Sequence, residues 1–283
     1  MILSELKHLW NEVCFRPNKK LGQNFLIDKN IRDKIINAIP LTAETILVEV
    51  GPGFGVMTIP LSQKCREILA VEKDSRIYEI MEPIFSKYSN IKIIKNDILE
   101  TDFYSEFPRR GQEKVLLFGN IPYYITTPLL EKAILSRNLI KAVYLVMQKE
   151  VAERITAKPG SKSYGALTCY LQFFTKPKRL FSISKNCFYP SPDVESSLLE
   201  LEILAEPSYF TMSEEIMFSV IKKAFNERRK KIINSLGDKQ CLGIEKNRWA
   251  RIFEECAIDM NLRAEDLSLK NYADISNKAV GEK

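Results

Sequence analysis

The chain has 283 residues, of which 45% are hydrophobic and 28% are charged, a balance typical of a soluble protein with one large domain and a smaller one. Lysine and arginine (42) exceed aspartate and glutamate (36), and the net charge of +6 permits a polyanionic partner. The only histidine is His8, which argues against Ser-His-Asp hydrolysis and histidine-ligated zinc. No apolar run has membrane-spanning length. The six cysteines are scattered and indicate free thiols in a reducing, cytoplasmic compartment.

The first predicted elements form a strand, a glycine-rich turn and a helix. His8 falls in a leader that is expected to be frayed, although the sequence leaves the order of residues 1–15 open. A helix over residues 28–39 follows, with Asp28 as its N-cap. Residues 45–50 predict a buried strand that runs into the turn Gly51-Pro52-Gly53-Phe54-Gly55, and a helix follows over residues 56–64.

The alternation of strands and helices then continues. Strands are predicted over residues 68–71, 91–95, 114–119 and 141–146, with helices over 75–88 and 128–137 between them. This order predicts an α/β fold with a doubly wound parallel sheet, in which ligands bind beyond the carboxyl ends of the strands.

The last third of the chain changes in character. A helix over 149–157, a basic loop at 158–162 and a helix over 165–174 precede two late strands, over 179–183 and 196–203. Beyond Pro207 the apolar spacing is helical throughout. We therefore predict a catalytic domain over residues 1–207 and a smaller all-helical domain over residues 208–283.

The tetrapeptide Asn120-Ile121-Pro122-Tyr123 follows a buried strand and is suited to the methylation of an aromatic amine. The Asn120 side-chain oxygen and the Ile121 carbonyl can each accept one N–H of a poorly nucleophilic exocyclic amine and favour its pyramidal form. Pro122 restricts the backbone around both acceptors, and Tyr123 can stack on a base that has swung out of its helix. An ordinary turn is the alternative.

Acids after two strands complete a nucleotide site. Glu72 is placed to accept ribose hydroxyls and Asp97 to accept an adenine amine, with Ile98 packing on the ring. The glycine turn lacks the last glycine of the dinucleotide fingerprint, which weakens a dehydrogenase reading and favours S-adenosylmethionine, whose amino-acid tail can meet backbone groups at Gly51 and Gly53.

Three further segments are candidates for binding. Lys19-Lys20-Leu21-Gly22-Gln23-Asn24-Phe25-Leu26 can fold over the cofactor through Asn24 and Leu26, or it is a basic linker. Phe188, beside two prolines, can form the second face of a base sandwich, or the segment is a loop before a strand. A basic cluster with few acids favours phosphate contact, and it contains Lys222, Lys223, Arg228, Arg229, Lys230 and Lys231.

Taken in order, these motifs resemble the ribosomal RNA adenine N6-dimethyltransferases. The resemblance covers residues 16–236 and includes Leu21–Leu26, Gly51–Gly55, Asn120–Tyr123 and the Phe188-x-Pro-x-Pro-x-Val-x-Ser196 pattern. Met147-Gln148-Lys149-Glu150-Val151-Ala152, Tyr164-Gly165 and Ala224-Phe225-x-x-Arg228-Arg229-Lys230 are similar to the small-subunit branch.

The resemblance implies a Rossmann-like S-adenosylmethionine-dependent methyltransferase that acts as a metal-free monomer on an immature small ribosomal subunit. It would transfer four methyl groups to two adjacent adenines in the 3′-terminal hairpin loop of the small-subunit rRNA. The resemblance implies that Asn24, Leu26, Gly51, Glu72, Asp97 and Asn120 contact the cofactor and that Asn120, Tyr123 and Phe188 hold the target base. With the residues argued above, the predicted cofactor site also includes Gly53 and Ile98, and the predicted catalytic residues are Asn120, Ile121, Pro122, Tyr123 and Phe188. Lys222, Lys223, Arg228, Arg229 and Lys230 would bind RNA.

Two positions keep alternatives open. Ile121 stands where the small-subunit branch usually has Leu, and Ile is typical of antibiotic-resistance methylases that act on large-subunit rRNA; Tyr124 stands where the branch often has Asn. A non-catalytic RNA-binding assembly or transcription factor of the same fold is the remaining alternative, and the two strand-end acids argue against it.

Overall fold

The structure is a computed structural model that describes residues 3–18, 21–106, 114–237 and 241–281. Its two compact units comprise residues 1–152 with 178–203, and residues 153–177 with 204–283. The predicted division at residue 207 therefore differs from these units at residues 204–207 and, mainly, in the segment 153–177, which clusters with the C-terminal helices. The prediction assumed one boundary in the chain, whereas this segment leaves the first unit and the chain later returns to it.

The first unit contains a seven-stranded sheet with strand order β4-β3-β2-β5-β6-β9-β7. The strands β2 to β6 pair in parallel, and β9 pairs antiparallel with β6, so the sheet is mixed. A separate pair joins β1 to β8. The strands are β1 (Phe25–Leu26), β2 (Ile46–Val50), β3 (Glu67–Glu72), β4 (Ile91–Lys95), β5 (Val115–Asn120), β6 (Ile140–Gln148), β7 (Thr175–Ile183), β8 (Phe188–Tyr189) and β9 (Ser196–Ile203).

Helices connect these strands and form the second unit. Asp28 caps its helix as expected, since its carboxylate accepts the N–H of Ile31 at 2.9 Å. The helices are α1 (Leu3–Glu12), α2 (Lys29–Ala38), α3 (Thr58–Ser62), α4 (Ser75–Phe85), α5 (Phe103–Glu106), α6 (Thr126–Leu135), α7 (Lys149–Ile155), α8 (Ala166–Phe174), α9 (Glu214–Asn226), α10 (Ile232–Leu236), α11 (Lys246–Glu255) and α12 (Leu269–Val280). No helix in the described part of the chain is long and apolar enough to cross a membrane.

The expectation of a frayed leader is wrong, because α1 packs on the first unit. Trp10 of α1 is buried, and its ring centroid lies 5.5 Å from Phe15, 5.3 Å from Phe25 and 5.9 Å from Phe54. Trp10 and Phe15 are close in sequence, but Phe25 and Phe54 come from later segments, and all four rings belong to one buried cluster. The helix is therefore held by tertiary packing, which a reading of local sequence missed.

The parallel order puts the carboxyl ends of β2, β3, β4 and β5 side by side. Val50, Glu72, Lys95 and Asn120 end these strands at one edge of the sheet. Residues that follow different strands are thereby brought together, as the strand order requires.

Candidate active site

One cleft lies at this edge of the sheet, with about 970 Å³ of empty space counted out to its open mouth. Loops after four parallel strands line it together with the segment before α2. A cleft beyond the carboxyl ends of parallel strands is where open α/β sheets bind ligands. The predicted cofactor residues that line it are Asn24, Leu26, Gly51, Gly53, Glu72, Asp97, Ile98 and Asn120.

The glycine turn forms the floor of the cleft. Gly51 and Gly53 have φ angles of 68° and 52°, in the left-handed region that favours glycine. A Cβ added to Gly51 would meet nothing within 4 Å, whereas one at Gly53 would lie 3.1 Å from the Phe25 ring. Gly51 therefore leaves backbone open to a ligand, and Gly53 allows the close approach of Phe25.

Glu72, the last residue of β3, is hydrogen-bonded to this turn. Its carboxylate accepts the Gly53 N–H at 3.3 Å and the Asp74 N–H at 2.8 Å. Burial raises the pKa of Glu72 to about 7, and these amides oppose the rise. The side chain can thus be charged at neutral pH and accept a pair of hydroxyls, as predicted for a ribose.

A second acid, Glu49, lines the cleft and was not predicted from the sequence. Its side chain is only 2% exposed, and its Oε2 atom has no hydrogen-bond partner among the described residues. Burial raises the pKa of Glu49 to about 8; Thr58 lowers it and the charge of Glu72 raises it further. The signal in the sequence is a carboxylate within an otherwise apolar strand, Ile46–Val50.

We expect the free energy of unfolding to fall as pH rises between about 4.5 and 8, because over that range the folded protein holds a proton on Glu49 that the unfolded chain releases. Glu49→Gln removes this contribution, which amounts to about 1.4 kcal/mol for each unit of pKa difference titrated. Urea unfolding at pH 6 and pH 8 measures the difference. Glu72 titrates in the same range and its contribution persists in the variant.

The matched control is Glu67→Gln, which changes an exposed acid at the start of β3. It should lose as much stability between pH 6 and pH 8 as the wild type does. If Glu49→Gln lost as much stability between pH 6 and pH 8 as the wild type does, the result would contradict a buried, protonated carboxyl at Glu49.

Asp97 lines the cleft and already accepts two hydrogen bonds. Its Oδ1 accepts the Leu99 N–H at 2.9 Å, and its Oδ2 accepts Lys73 Nζ at 2.6 Å. Burial raises the pKa of Asp97, but the hydrogen bonds from Lys73 and Leu99 outweigh burial and hold it below its usual value. Each carboxylate oxygen still has acceptor capacity for an amine, and Lys73 is a cleft residue that the sequence analysis missed.

Asn120 and the segment around Asn24 meet at the other side of the cleft. Asn120 Nδ2 donates to the Asn24 carbonyl at 3.1 Å, and Asn24 Nδ2 donates to the Gly22 carbonyl at 3.1 Å. A Cβ on Gly22 would lie 3.0 Å from Pro122 Cβ, so the two motifs are in close contact. Because its donor group is held by Asn24, Asn120 can turn its side-chain oxygen to an incoming amine.

The other members of the tetrapeptide differ in exposure. Ile121 is 4% exposed, and its Cγ2 would lie 2.7 Å from a Cβ on Gly119, so this side chain points into the protein. Pro122 lines the cleft. The backbone of Tyr123 begins a 3₁₀ turn, but its side chain lies outside the described part of the structure, and the stacking role predicted for it stays a prediction. Tyr124 lines the cleft with 55% of its surface exposed.

Phe188 is placed in the core. It is 3% exposed and pairs with Leu26 between β8 and β1. Leu26 reaches the cleft, whereas the Phe188 ring packs with the buried residues that include Ile35 and Leu198. This arrangement does not bring Phe188 to the lining, and its role against a target base stays a prediction.

The predicted RNA-binding cations lie in the second unit and are not equivalent. Lys222, Arg229 and Lys230 are exposed, and Lys230 forms an ion pair with Glu227 at 3.0 Å. Lys223 is half-buried. Arg228 forms an ion pair with Glu265. Arg228 is thus ion-paired, whereas its neighbour Arg229 is exposed.

Within the described residues there is no group of three or more histidine, cysteine, aspartate or glutamate side chains that could hold a metal ion. The cleft instead offers backbone groups at a glycine turn, two buried carboxyls and a fixed amide. These donors and acceptors suit an adenosyl group with an amino-acid tail.

Known proteins are similar in sequence to nearly the whole chain. A protein described as "Ribosomal RNA small subunit methyltransferase A" from Bacillus licheniformis is 36% identical over 276 residues, with 96% of this chain and 94% of that relative covered. The same description applies to a protein of Pelotomaculum thermopropionicum, 38% identical over 92% of this chain and 90% of the relative.

Solved structures show the same architecture. A dimethyladenosine transferase from Plasmodium falciparum superposes with a TM-score of 0.76 at 24% identity, covering 89% of this chain and 95% of that one. The 23S rRNA methyltransferase ErmE gives a TM-score of 0.71 at 22% identity, covering 89% and 98%. The fold is thus that of Rossmann-like methyltransferases.

The family described as "Ribosomal RNA adenine dimethylase" matches residues 14–280. This match spans the cleft, the Asn120 tetrapeptide and the helical second unit. The chain therefore belongs to the ribosomal RNA adenine dimethylase family.

Proposed function

We propose that this protein is an S-adenosylmethionine-dependent methyltransferase that dimethylates N6 of adenines in small-subunit rRNA. The relatives described as small-subunit rRNA methyltransferases support the substrate, since two of them are 36% and 38% identical to nearly the whole chain. The observation that carries the proposal is the Asn120 amide, held by the Asn24 carbonyl at the mouth of the cofactor cleft.

The cleft supplies fixed partners for each part of the cofactor, which provides a methyl group on an electrophilic sulfonium. Glu72 accepts ribose hydroxyls, Asp97 accepts the adenine amine, and Gly51 leaves backbone open to the amino-acid tail. Glu49 is a further acceptor, because its Oε2 has no partner among the described residues. A buried carboxyl without a partner is costly, and a cationic amine is a suitable partner for it.

Asn120 and Ile121 prepare the target amine. In the first transfer the Asn120 side-chain oxygen and the Ile121 carbonyl would each accept one N–H, which directs the nitrogen lone pair toward the methyl group. In the second transfer the methylated amine keeps a single N–H, and one of the two oxygens would accept it. With the cofactor bound, the amine nitrogen would take the methyl group as the sulfonium S–C bond breaks and S-adenosylhomocysteine is left. No strong base would be needed, because the proton would pass from the resulting aminium to water after the transfer. Pro122 and the Asn24 contact hold these acceptors in place, so little reorganisation is needed in the transition state.

We further propose that the targets are two adjacent adenines in the 3′-terminal hairpin loop, methylated on an immature small subunit by a cytoplasmic monomer. The family resemblance supports these details. The helical second unit, with its exposed Lys222, Arg229 and Lys230, would contact the rRNA.

Ile121 raised the alternative of a large-subunit methylase. The side chain is 4% exposed and points into the protein, so the exchange of Leu for Ile does not change the surface that meets RNA. Only its backbone carbonyl is used in the proposed chemistry. The small-subunit assignment is therefore favoured.

Reverse-transcription mapping tests the substrate. Methyl-dependent stops at two adjacent adenines near the 3′ end of small-subunit rRNA should be present with the gene and absent without it. If loss of the gene removes stops only from large-subunit rRNA, the protein would instead be assigned to the resistance methylases.

A further inference from the structure

We propose that Arg228 and Glu265 form a clamp that holds the basic loop 158–162 beside the turn at Arg229, so that Lys158, Lys162 and Arg229 make one phosphate-binding surface. All of these residues belong to the second unit. The inference rests on the proposed rRNA substrate and assigns Arg228 a positioning role in place of the direct RNA contact predicted from the sequence.

The clamp consists of three contacts made by two residues. The Arg228 guanidinium donates through Nε to the Glu265 carboxylate and through Nη2 to the Lys162 carbonyl. The Glu265 backbone carbonyl accepts the Gly160 N–H at 2.7 Å. Two segments that are far apart in sequence, at Arg228 and at Glu265, are thus tied to the same loop, and Arg228 uses its Nε and Nη2 donors to do so.

The loop has a defined backbone conformation. Gly160 has a φ angle of 82°, and the Ser161 hydroxyl donates to the Lys158 carbonyl at 2.8 Å. Before the loop, Gln172 Nε2 donates to the Ile155 and Ala157 carbonyls, each at 2.9 Å. A loop whose backbone is fixed in this way loses little entropy when its side chains bind a ligand.

The far end of the loop is anchored by rings. Tyr164 is fully buried, and its ring centroid lies 6.1 Å from that of Phe225 in α9. Because Arg228 lies two residues beyond the end of α9, the loop and the basic turn share two independent attachments. Their relative placement is therefore fixed by the fold of this unit.

The cations on this surface are available. Lys158, Lys162 and Arg229 are exposed, and none of the three makes an ion pair within the described ranges. The acids placed among them, Glu265 and Glu227, are occupied by Arg228 and Lys230. Exposed cations on a fixed backbone match the phosphates of a nucleic acid, and RNA is the partner that the proposed function provides.

The decisive variant is Glu265→Gln, because a pure charge effect and a positioning role predict opposite changes in RNA affinity. Removal of an acid from a basic surface should strengthen RNA binding if only charge matters. If Glu265 holds Arg228 and the loop in place, RNA binding should weaken about three- to tenfold. Glu255→Gln is the matched control, because it removes an acid that is ion-paired with Lys278 at 3.1 Å in the same unit.

The probe is an unmethylated small-subunit rRNA transcript, titrated with the full-length protein at several KCl concentrations. Lys162→Gln and Arg229→Gln should each lower the slope of log affinity against log salt by about 1. Trypsin cleavage after Lys162 should become faster in Glu265→Gln and in Arg228→Gln, and stay unchanged in Arg229→Gln.

Tighter RNA binding by Glu265→Gln, or unchanged trypsin cleavage in it, would overturn the clamp. Unchanged salt slopes in both cation variants would overturn the phosphate-binding surface. Failure of the proposed function would give a different result: the wild-type protein itself would neither bind the transcript nor methylate small subunits. Calorimetry with S-adenosylmethionine verifies that each variant retains an intact cleft.

Discussion

Replacement of Asn120 by alanine is expected to reduce the rate of methyl transfer by roughly 10²- to 10³-fold, the usual effect of removing one fixed hydrogen-bond partner of the reacting group. The variant loses the oxygen that accepts an amine N–H and also the bond from Nδ2 to the Asn24 carbonyl. Single-turnover transfer to unmethylated small subunits measures the rate without product release.

Cofactor binding separates this role from damage to the cleft. The contacts proposed for Glu72 and the glycine turn do not depend on Asn120, so the dissociation constant for S-adenosylmethionine should change by less than about tenfold in Asn120→Ala. Asn120→Asp keeps an acceptor oxygen but loses the donor to Asn24, and should retain more activity than the alanine variant. A rate within about tenfold of wild type in Asn120→Ala would refute the assigned role.

Glu72→Gln is expected to weaken S-adenosylmethionine binding by about 10²-fold. The charged carboxylate accepts ribose hydroxyls through charge-assisted hydrogen bonds, and hydrogen bonds to charged groups contribute about 1.5–3 kcal/mol each. The amide also places a donor against the Gly53 or Asp74 N–H, both of which need acceptors. Calorimetric titration measures the change, with Glu67→Gln as the control from the same strand.

The pH dependence gives the same residue a second test. With its pKa at about 7, Glu72 is largely protonated at pH 6 and largely charged at pH 8, so Glu72 alone should raise the wild-type affinity about tenfold over this range. Glu49 titrates nearby, with a pKa of about 8, and its contribution should persist in Glu72→Gln. The variant should therefore show a clearly smaller rise, and an undiminished rise would assign the pH dependence elsewhere.

The strand ends were predictable because their signals are local. A buried strand followed by glycine, Glu72, Asp97 or Asn120 can be recognised from a few neighbouring residues, and the parallel order then brings these positions to one edge. Glu49 carried a local signal as well, a charge in an apolar strand, which the sequence analysis did not use.

Contacts between distant residues explain what the sequence analysis missed. The helix α1 depends on rings at Phe25 and Phe54, and the state of Arg228 depends on Glu265, which lies 37 residues further along the chain. A basic cluster predicts a charged surface, but it does not show which cations are already paired. The burial of Phe188 likewise follows from the pairing of β8 with β1.

Methyl transfer by the purified protein tests the central claim most directly. Labelled S-adenosylmethionine is incubated with unmethylated small subunits or large subunits, and the labelled nucleotides are then identified. We predict N6,N6-dimethyladenosine in small-subunit rRNA alone, lost in Asn120→Ala. Label confined to large subunits, or no transfer to either subunit by protein that binds the cofactor, would contradict this assignment.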